Sequence, residues 1–187
     1  MNTSTYPVAD LIAARRSIKQ FNSDSVSTEL IKELLDVAAW APNHGLREPW
    51  RITLFTGEGK RVIANAMANH SPKKGEPESL MQIPAYLIVT IPQDPRQKER
   101  DEDHAAACMF IENFMLAAWE RGLGSIMKTG PYIFNPRFLE EVGVQPGEKL
   151  LGVIQVGYPA ALPDARPRTP IEQKLTVVDT YTAPDSE

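Results

Sequence analysis

Proline is absent from two long stretches, residues 8–41 and 96–130, and frequent elsewhere: 16 Pro stand against 11 Gly in 187 residues. Proline breaks helix interiors, so those two gaps are where long helices can lie. In the first, Val8, Leu11 and Ile12 form a short apolar face that runs into Arg15-Arg16-Ser17-Ile18-Lys19. A second helix starts after Ser27 or Thr28, with Leu30, Ile31, Leu34, Leu35, Ala38 and Ala39 at helical spacing. It ends at Ala41-Pro42, because the residue before a proline is pushed out of the helical region. The second gap predicts a central helix over residues 104–121, apolar on nearly every face, with Gly122 as its C-terminal cap. The acidic run Glu99-Arg100-Asp101-Glu102-Asp103 sets carboxylates at the positive end of that helix. Cys108, inside it, is expected to be a buried and inert thiol.

Short apolar runs at residues 50–56, 85–91, 124–128 and 150–156 are read as strands, with helices near 60–68 and 136–142 between them. The order predicts an α+β (α/β sandwich) fold, one mixed central sheet flanked by helices. One domain is expected over residues 1–187. From Gly157 onward, Pro159, Pro163, Pro167, Pro170 and Pro184 predict an extended tail over about 160–187.

Composition narrows the function classes. A net charge of −4 argues against a nucleic-acid binder. One cysteine and three histidines do not build an ordinary zinc site, so no metal is expected. No run approaches the length of a spanning helix, and residues 1–10 lack the pattern of a signal peptide. A soluble, cytoplasmic protein without membrane contact is the expectation. Lys73-Lys74 reads as an exposed loop pair.

Three segments carry candidate chemistry. On a helix end, Arg15 and Lys19 share a side at i, i+4, Arg16 points elsewhere and Ser17 adds a hydroxyl, a set suited to phosphate oxygens. A solvated basic helix end is the competing reading. The loop Pro42-Asn43-His44-Gly45-Leu46-Arg47-Glu48-Pro49 is bracketed by prolines, and Trp40 and Trp50 on either side suit the walls of a planar-ligand pocket as well as a core. Gly122-Leu123-Gly124 and Gly57-Glu58-Gly59 are poor dinucleotide fingerprints: the first follows a helix, and Val62 occupies the third glycine position of the second. Lys128-Thr129-Gly130 presents polar groups at a sheet rim.

Together these segments, with Glu48-Pro49-Trp50, Val156-Gly157-Tyr158-Pro159 and Arg168-Thr169-Pro170-Ile171-Glu172, resemble the nitroreductase family of FMN-dependent oxidoreductases, in its compact bacterial branch. The resemblance runs in order over about residues 8–175. It implies a homodimer with FMN at the subunit interface and each tail embracing the partner. By similarity, Arg15 and Ser17, aided by Arg16, hold the phosphate and ribityl end, and Arg168 beside Arg166 adds a phosphate contact. Lys19 reaches the pyrimidine edge of the flavin, Met127, Lys128 and Thr129 line it, and Trp40, Pro42, Asn43 and His44 belong to the cofactor site, with Trp40 and His44 coming from the other chain. The implied activity is ping-pong hydride transfer from NAD(P)H to a nitroaromatic or quinone, with no dedicated catalytic side chain. The alternative is a flavin-binding or storage module without physiological turnover. Glu48 stands where many members have Gln, and Asn43-His44 where many have paired serines, so the acceptor and the choice between NADH and NADPH stay open.

Overall fold

A computed structural model describes residues 6–71 and 76–181. Lys73-Lys74 and Pro184 lie outside them. Helix α1 (Pro7–Ala14) precedes an extended segment, then α2 (Thr28–Ala38), β1 (Arg51–Phe55), α3 (Lys60–His70), α4 (Pro77–Met81), β2 (Ala85–Pro92), α5 (Gln97–Glu120), β3 (Gly124–Lys128), α6 (Pro136–Glu141) and β4 (Glu148–Gly157). The local signals explain the boundaries. The Ser27 hydroxyl accepts from the Leu30 N–H and caps α2. Gly122, at φ 76°, closes α5 while its N–H donates to the Trp119 carbonyl at 3.0 Å. The acidic run belongs to the first turns of α5, which begins earlier than its apolar pattern.

The sheet order is β1-β2-β4-β3, and every pairing of these four strands is antiparallel. Its parallel component is a single bridge between Ser17 and Ser125. Along β2, Ala85, Leu87, Val89 and Ile91 face a core shared with α2 and α5, whereas Tyr86 and Ile88 face a second core with α3 and α6. Both faces are thus covered, which gives a three-layer α+β sandwich. A register shift at Val89/Thr90 reverses the alternation on β4: Ile154 and Leu151 point to the first core, Val153 and Leu150 to the second. Without that shift, one end of β4 would present the wrong set of side chains.

Helix α5 is less buried than its composition implies. Phe110, Ile111, Phe114, Ala106, Ala107, Ala117 and Ala118 enter the core, but Ala105, Cys108 and Met109 are exposed on this chain. The expected burial of Cys108 is therefore corrected: its thiol is exposed, with Sγ 3.8 Å from His104 Nε2 one turn away. Apolar character around a whole helix does not say which face meets its own chain. Trp50 belongs to the core and stacks on Phe110 at 4.7 Å between ring centroids. Trp40 remains 88% exposed. Among the described residues, no helix is long and apolar enough to cross a membrane.

The segment before α2 is tied to the end of the sheet by close packing. Ile18 is fully buried, and its N–H donates to the Ser125 carbonyl at 3.0 Å. A Cβ at Gly124 would overlap Ile18 Cγ1 and lie 2.8 Å from Ile18 Cβ. We expect Gly124→Ala to destabilise the protein by about 1–3 kcal/mol. Urea unfolding with an unchanged midpoint would contradict this account of the contact.

Candidate functional site

Only Arg15 belongs to a helix end; residues 16–19 lie beyond the helix. Arg15 is the C-cap of α1 with ψ 138°, and the chain continues extended through the bridge at Ser17. In an extended chain alternate residues share a side. The i, i+4 pair Arg15 and Lys19 thus still faces one way, joined by Ser17 at the intermediate position, while Ile18 turns into the core. The predicted grouping holds for a different geometric reason.

This side lines two adjoining cavities of about 290 and 580 Å³ that share Ser17, Lys19 and Pro163. The larger has Arg15, Arg16, Ser17 and Lys19 along one wall and Arg166 and Arg168 along the other. Asp164 is the acidic residue of that lining, so cations exceed carboxylates there. The opposite wall comes from the irregular segment after β4, which returns to the site by backbone contacts. Asn22 N–H donates to the Tyr158 carbonyl at 3.0 Å and Ala160 N–H to the Gln20 carbonyl at 2.9 Å, around a Phe21–Pro159 bridge.

The cations are not equivalent. Arg16 Nη1 donates to the Ala13 and Arg15 carbonyls at 2.6 and 2.8 Å, capping α1 rather than pointing a free fork at the cavity. Arg15 Nε lies 3.3 Å from Glu112 Oε1 of α5, yet it is buried without a well-directed hydrogen bond. Arg168 Nη1 holds the Arg166 carbonyl at 3.1 Å. The Lys19 ammonium has no carboxylate partner among the described residues. Parallel pairing at Ser17–Ser125 carries Lys19 alongside the Met127–Lys128 end of β3. Burial, and then repulsion from Lys19, hold the Lys128 pKa below the ordinary lysine value. The exposed Lys19 lines both cavities and repels the half-buried Lys128, so an anion beside the two is favourable.

The other sequence-derived residues are distributed differently. Met127 is half-buried and packs its side chain against the first core and over Gly152, where a Cβ would lie 2.7 Å from Met127 Cε. Thr129 is exposed just beyond β3. Trp40, Pro42, Asn43 and His44 do not line the cavities formed with Arg15–Lys19 in the same chain. Asn43 instead orders its own loop: Nδ2 donates to the Ala41 carbonyl at 3.1 Å, and Oδ1 accepts from the Glu48 N–H at 2.9 Å. Two features escaped sequence reasoning. Pro163 and Asp164 complete the far wall, and Arg47 is bound to Asp103 across 56 residues of sequence. Such long-range pairs leave no local pattern.

An α+β sandwich with a cation-rich cleft beside its outer strand is suited in charge to an anionic ligand. The nitroreductase family model matches residues 12–158. The Bacillus subtilis protein named "Putative NAD(P)H nitroreductase YfhC" is 35% identical over 179 residues, spanning 89% of this chain and 92% of that one. A crystal structure of a nitroreductase-like family protein from Bacillus cereus is 38% identical, with a TM-score of 0.87, covering 96% of this chain and 100% of that one. A Desulfovibrio desulfuricans chain solved in complex with FMN shares the fold at a TM-score of 0.77 and 24% identity, over 92% of this chain and 96% of that one. The chain belongs to the nitroreductase family and is an oxidoreductase of that class.

The lowered pKa of Lys128, set first by burial and then by Lys19, gives a test that needs no ligand. With its folded pKa lowered, charged Lys128 is a penalty below the unfolded value. The penalty fades as pH rises through the folded pKa toward that value. Lys128→Met should accordingly raise the thermal midpoint of the ligand-free protein at pH 7, and by less near pH 10. A midpoint lowered at pH 7, or a gain independent of pH, would contradict the assignment.

Proposed function

We propose that this oxidoreductase binds FMN in the cleft between residues 15–19 and the segment carrying Arg166 and Arg168, and uses it to pass reducing equivalents from NAD(P)H to an oxidised acceptor. The observation that carries the reading is the convergence of Arg15, Ser17, Lys19 and Arg168 on a cavity of about 580 Å³ in a chain of this family. The residues fit such a group: Arg15 Nε is a buried donor lacking a well-made hydrogen bond, and the cleft holds more positive than negative charge. The protein solved with FMN and the NADPH-dependent nitroreductase NfnB from Sphigopyxis sp. strain HMH, at a TM-score of 0.76, share this fold and support the choice of cofactor and donor.

Arg15 and Arg168 bind the phosphate from opposite walls, and Ser17 donates to the ribityl end. Arg16 acts at one remove, holding the end of α1 so that Arg15 projects correctly. Lys19 and Lys128 place positive charge at the pyrimidine edge, where it opposes loss of electron density from the ring. When bound, FMN supplies two-electron hydride chemistry in alternation with two substrates, a ping-pong sequence from NAD(P)H to a nitroaromatic or quinone. No side chain of this chain acts as a dedicated acid or base.

We also propose that the working unit is a homodimer in which Trp40, Pro42, Asn43 and His44 reach the partner's cofactor and the tail wraps the other subunit. Two observations support this. Helix α1 has no buried residue although it carries Val8, Leu11 and Ile12. The tail exposes Leu162, Ile171, Leu175, Val177, Val178 and Tyr181. Such surface is normally covered in an assembly.

The purified protein should be yellow, release FMN on denaturation, and oxidise NADH or NADPH with menadione or nitrofurazone as acceptor. A flavin-loaded protein without turnover would favour a flavin-storage module, and failure to take up FMN would end the reading. Arg15→Ala removes a charge-assisted contact worth about 1.5–3 kcal/mol when shielded, so the FMN dissociation constant should rise about tenfold to a hundredfold. An affinity equal to that of the unsubstituted protein would remove Arg15 from the phosphate site.

A further inference from the structure

The loop after α2 holds an unusual backbone. Gly45, Leu46 and Glu48 have φ of 62°, 51° and 45°, the left-handed region that leucine and glutamate rarely adopt. Leu46 is 82% exposed, so burial does not secure the turn. Arg47, between the two strained residues, does make strong contacts. Its Nε and Nη2 donate to Asp103 Oδ1 at 3.0 and 2.7 Å, and Nη2 also reaches the Glu99 carbonyl and Glu102 Oε2 at 3.3 Å. Asp103 is only 6% exposed. The guanidinium is thus fixed to the first turns of α5, a rigid element that also lines the core.

We propose that Arg47 is a positioning residue: by clamping the loop to Asp103 it holds its neighbours Leu46 and Glu48 left-handed and so sets Asn43 and His44 for contact with the flavin. The inference rests on the flavin reading of residues 42–44. The order of cause is physical. Strained backbone persists where its surroundings over-determine it. Here the surroundings are the Asn43–Glu48 hydrogen bond inside the loop and the Arg47–Asp103 pair outside it. The inner bond alone does not hold Leu46 and Glu48 in the left-handed region; the outer pair supplies the remaining constraint. Partial release is also penalised on the acidic side, because the buried Asp103 would be left without its cation.

The test uses the full-length protein as purified. Arg47→Ala removes the clamp, and the double variant Arg47→Met with Asp103→Leu removes both charges together, so that no buried carboxylate is stranded. Both should raise the FMN dissociation constant, read by flavin fluorescence, about tenfold, and both should speed chymotrypsin cleavage after Leu46. Repeating Arg47→Ala in a Leu46→Gly background separates positioning from plain stabilisation, since glycine adopts this φ without strain. The affinity penalty should then fall to less than about threefold. Equal penalties in the two backgrounds overturn the proposal, as does a double variant that binds FMN as the unsubstituted protein does. If the unsubstituted protein takes up no FMN, it is the flavin reading that fails. Cleavage after Leu46 then still judges the clamp, and an unchanged rate refutes it.

Discussion

The placement of Ile18 in the space left by Gly124 is the contact on which the rest of the site depends. One fully buried side chain and one backbone hydrogen bond to Ser125 fix residues 15–19 against the outer strand of the sheet. Direction and alternation then do the rest. Because the pairing is parallel, Lys19 advances with β3 toward Lys128; because the segment is extended, Arg15, Ser17 and Lys19 emerge on one side. The chain just beyond, at Gln20 and Asn22, offers its own backbone groups to Tyr158 and Ala160. The two ends of the sequence thereby become the two walls of one cleft. A substitution that displaces Ile18 moves Arg15, Arg16 and Lys19, the cations of one wall, together.

The charge arrangement has a cost that clarifies its purpose. Glu112 and Asp164 are the carboxylates beside a group that includes Arg15, Arg16, Lys19, Arg166 and Arg168. Like charges a few ångströms apart repel by about 1 kcal/mol in water and more where water is partly excluded. An anion relieves that repulsion on binding, so the same residues destabilise the empty cleft and favour the filled one. The Arg47–Asp103 pair follows the opposite rule. It is complete within the chain and buried on its acidic side, and it stabilises a shape rather than a ligand. Calling both "basic residues" would hide a difference that partner inventory makes plain.

The sequence made the architecture legible wherever structure is locally encoded. Proline-free gaps located α2 and α5, Ser27 and Gly122 marked helix ends, and four apolar runs became four strands. It was less informative where the outcome depends on distant contacts. The Arg15–Lys19 segment was grouped correctly but assigned a helical geometry, because i, i+4 residues share a face in a helix and also in an extended strand. Cys108 was placed in the core because its neighbours are apolar; which side of a long helix faces its own sheet is decided by the other elements. Arg47 gave no signal at all, since Asp103 becomes its partner only when α5 packs beside the loop. The cation set was readable as chemistry, whereas its far wall, at Pro163 and Asp164, required the chain to fold back.

What the single chain leaves exposed bears on how the site is completed. Trp40 stands at 88% exposure just beyond α2, and α1 sits on the surface with Val8 and Ile12 exposed. A large aromatic side chain gains several kcal/mol from burial, at roughly 25 cal/mol per Å² over an area of ~150–250 Å². Leaving it in water on a rigid helix end forgoes that gain unless another surface covers it. The cleft, meanwhile, has cations along both walls and no aromatic lining of its own. An uncovered aromatic at one place and an uncovered cleft at another are complementary deficits, which the proposed second copy of the chain would remedy at once. On the proposed dimer, one protomer contributes the charges that bind the phosphate, and its partner contributes the loop whose orientation Arg47 controls. Affinity for the cofactor then depends jointly on a strand pairing in one subunit and an ion pair in the other. The cofactor site and the subunit interface become a single cooperative unit.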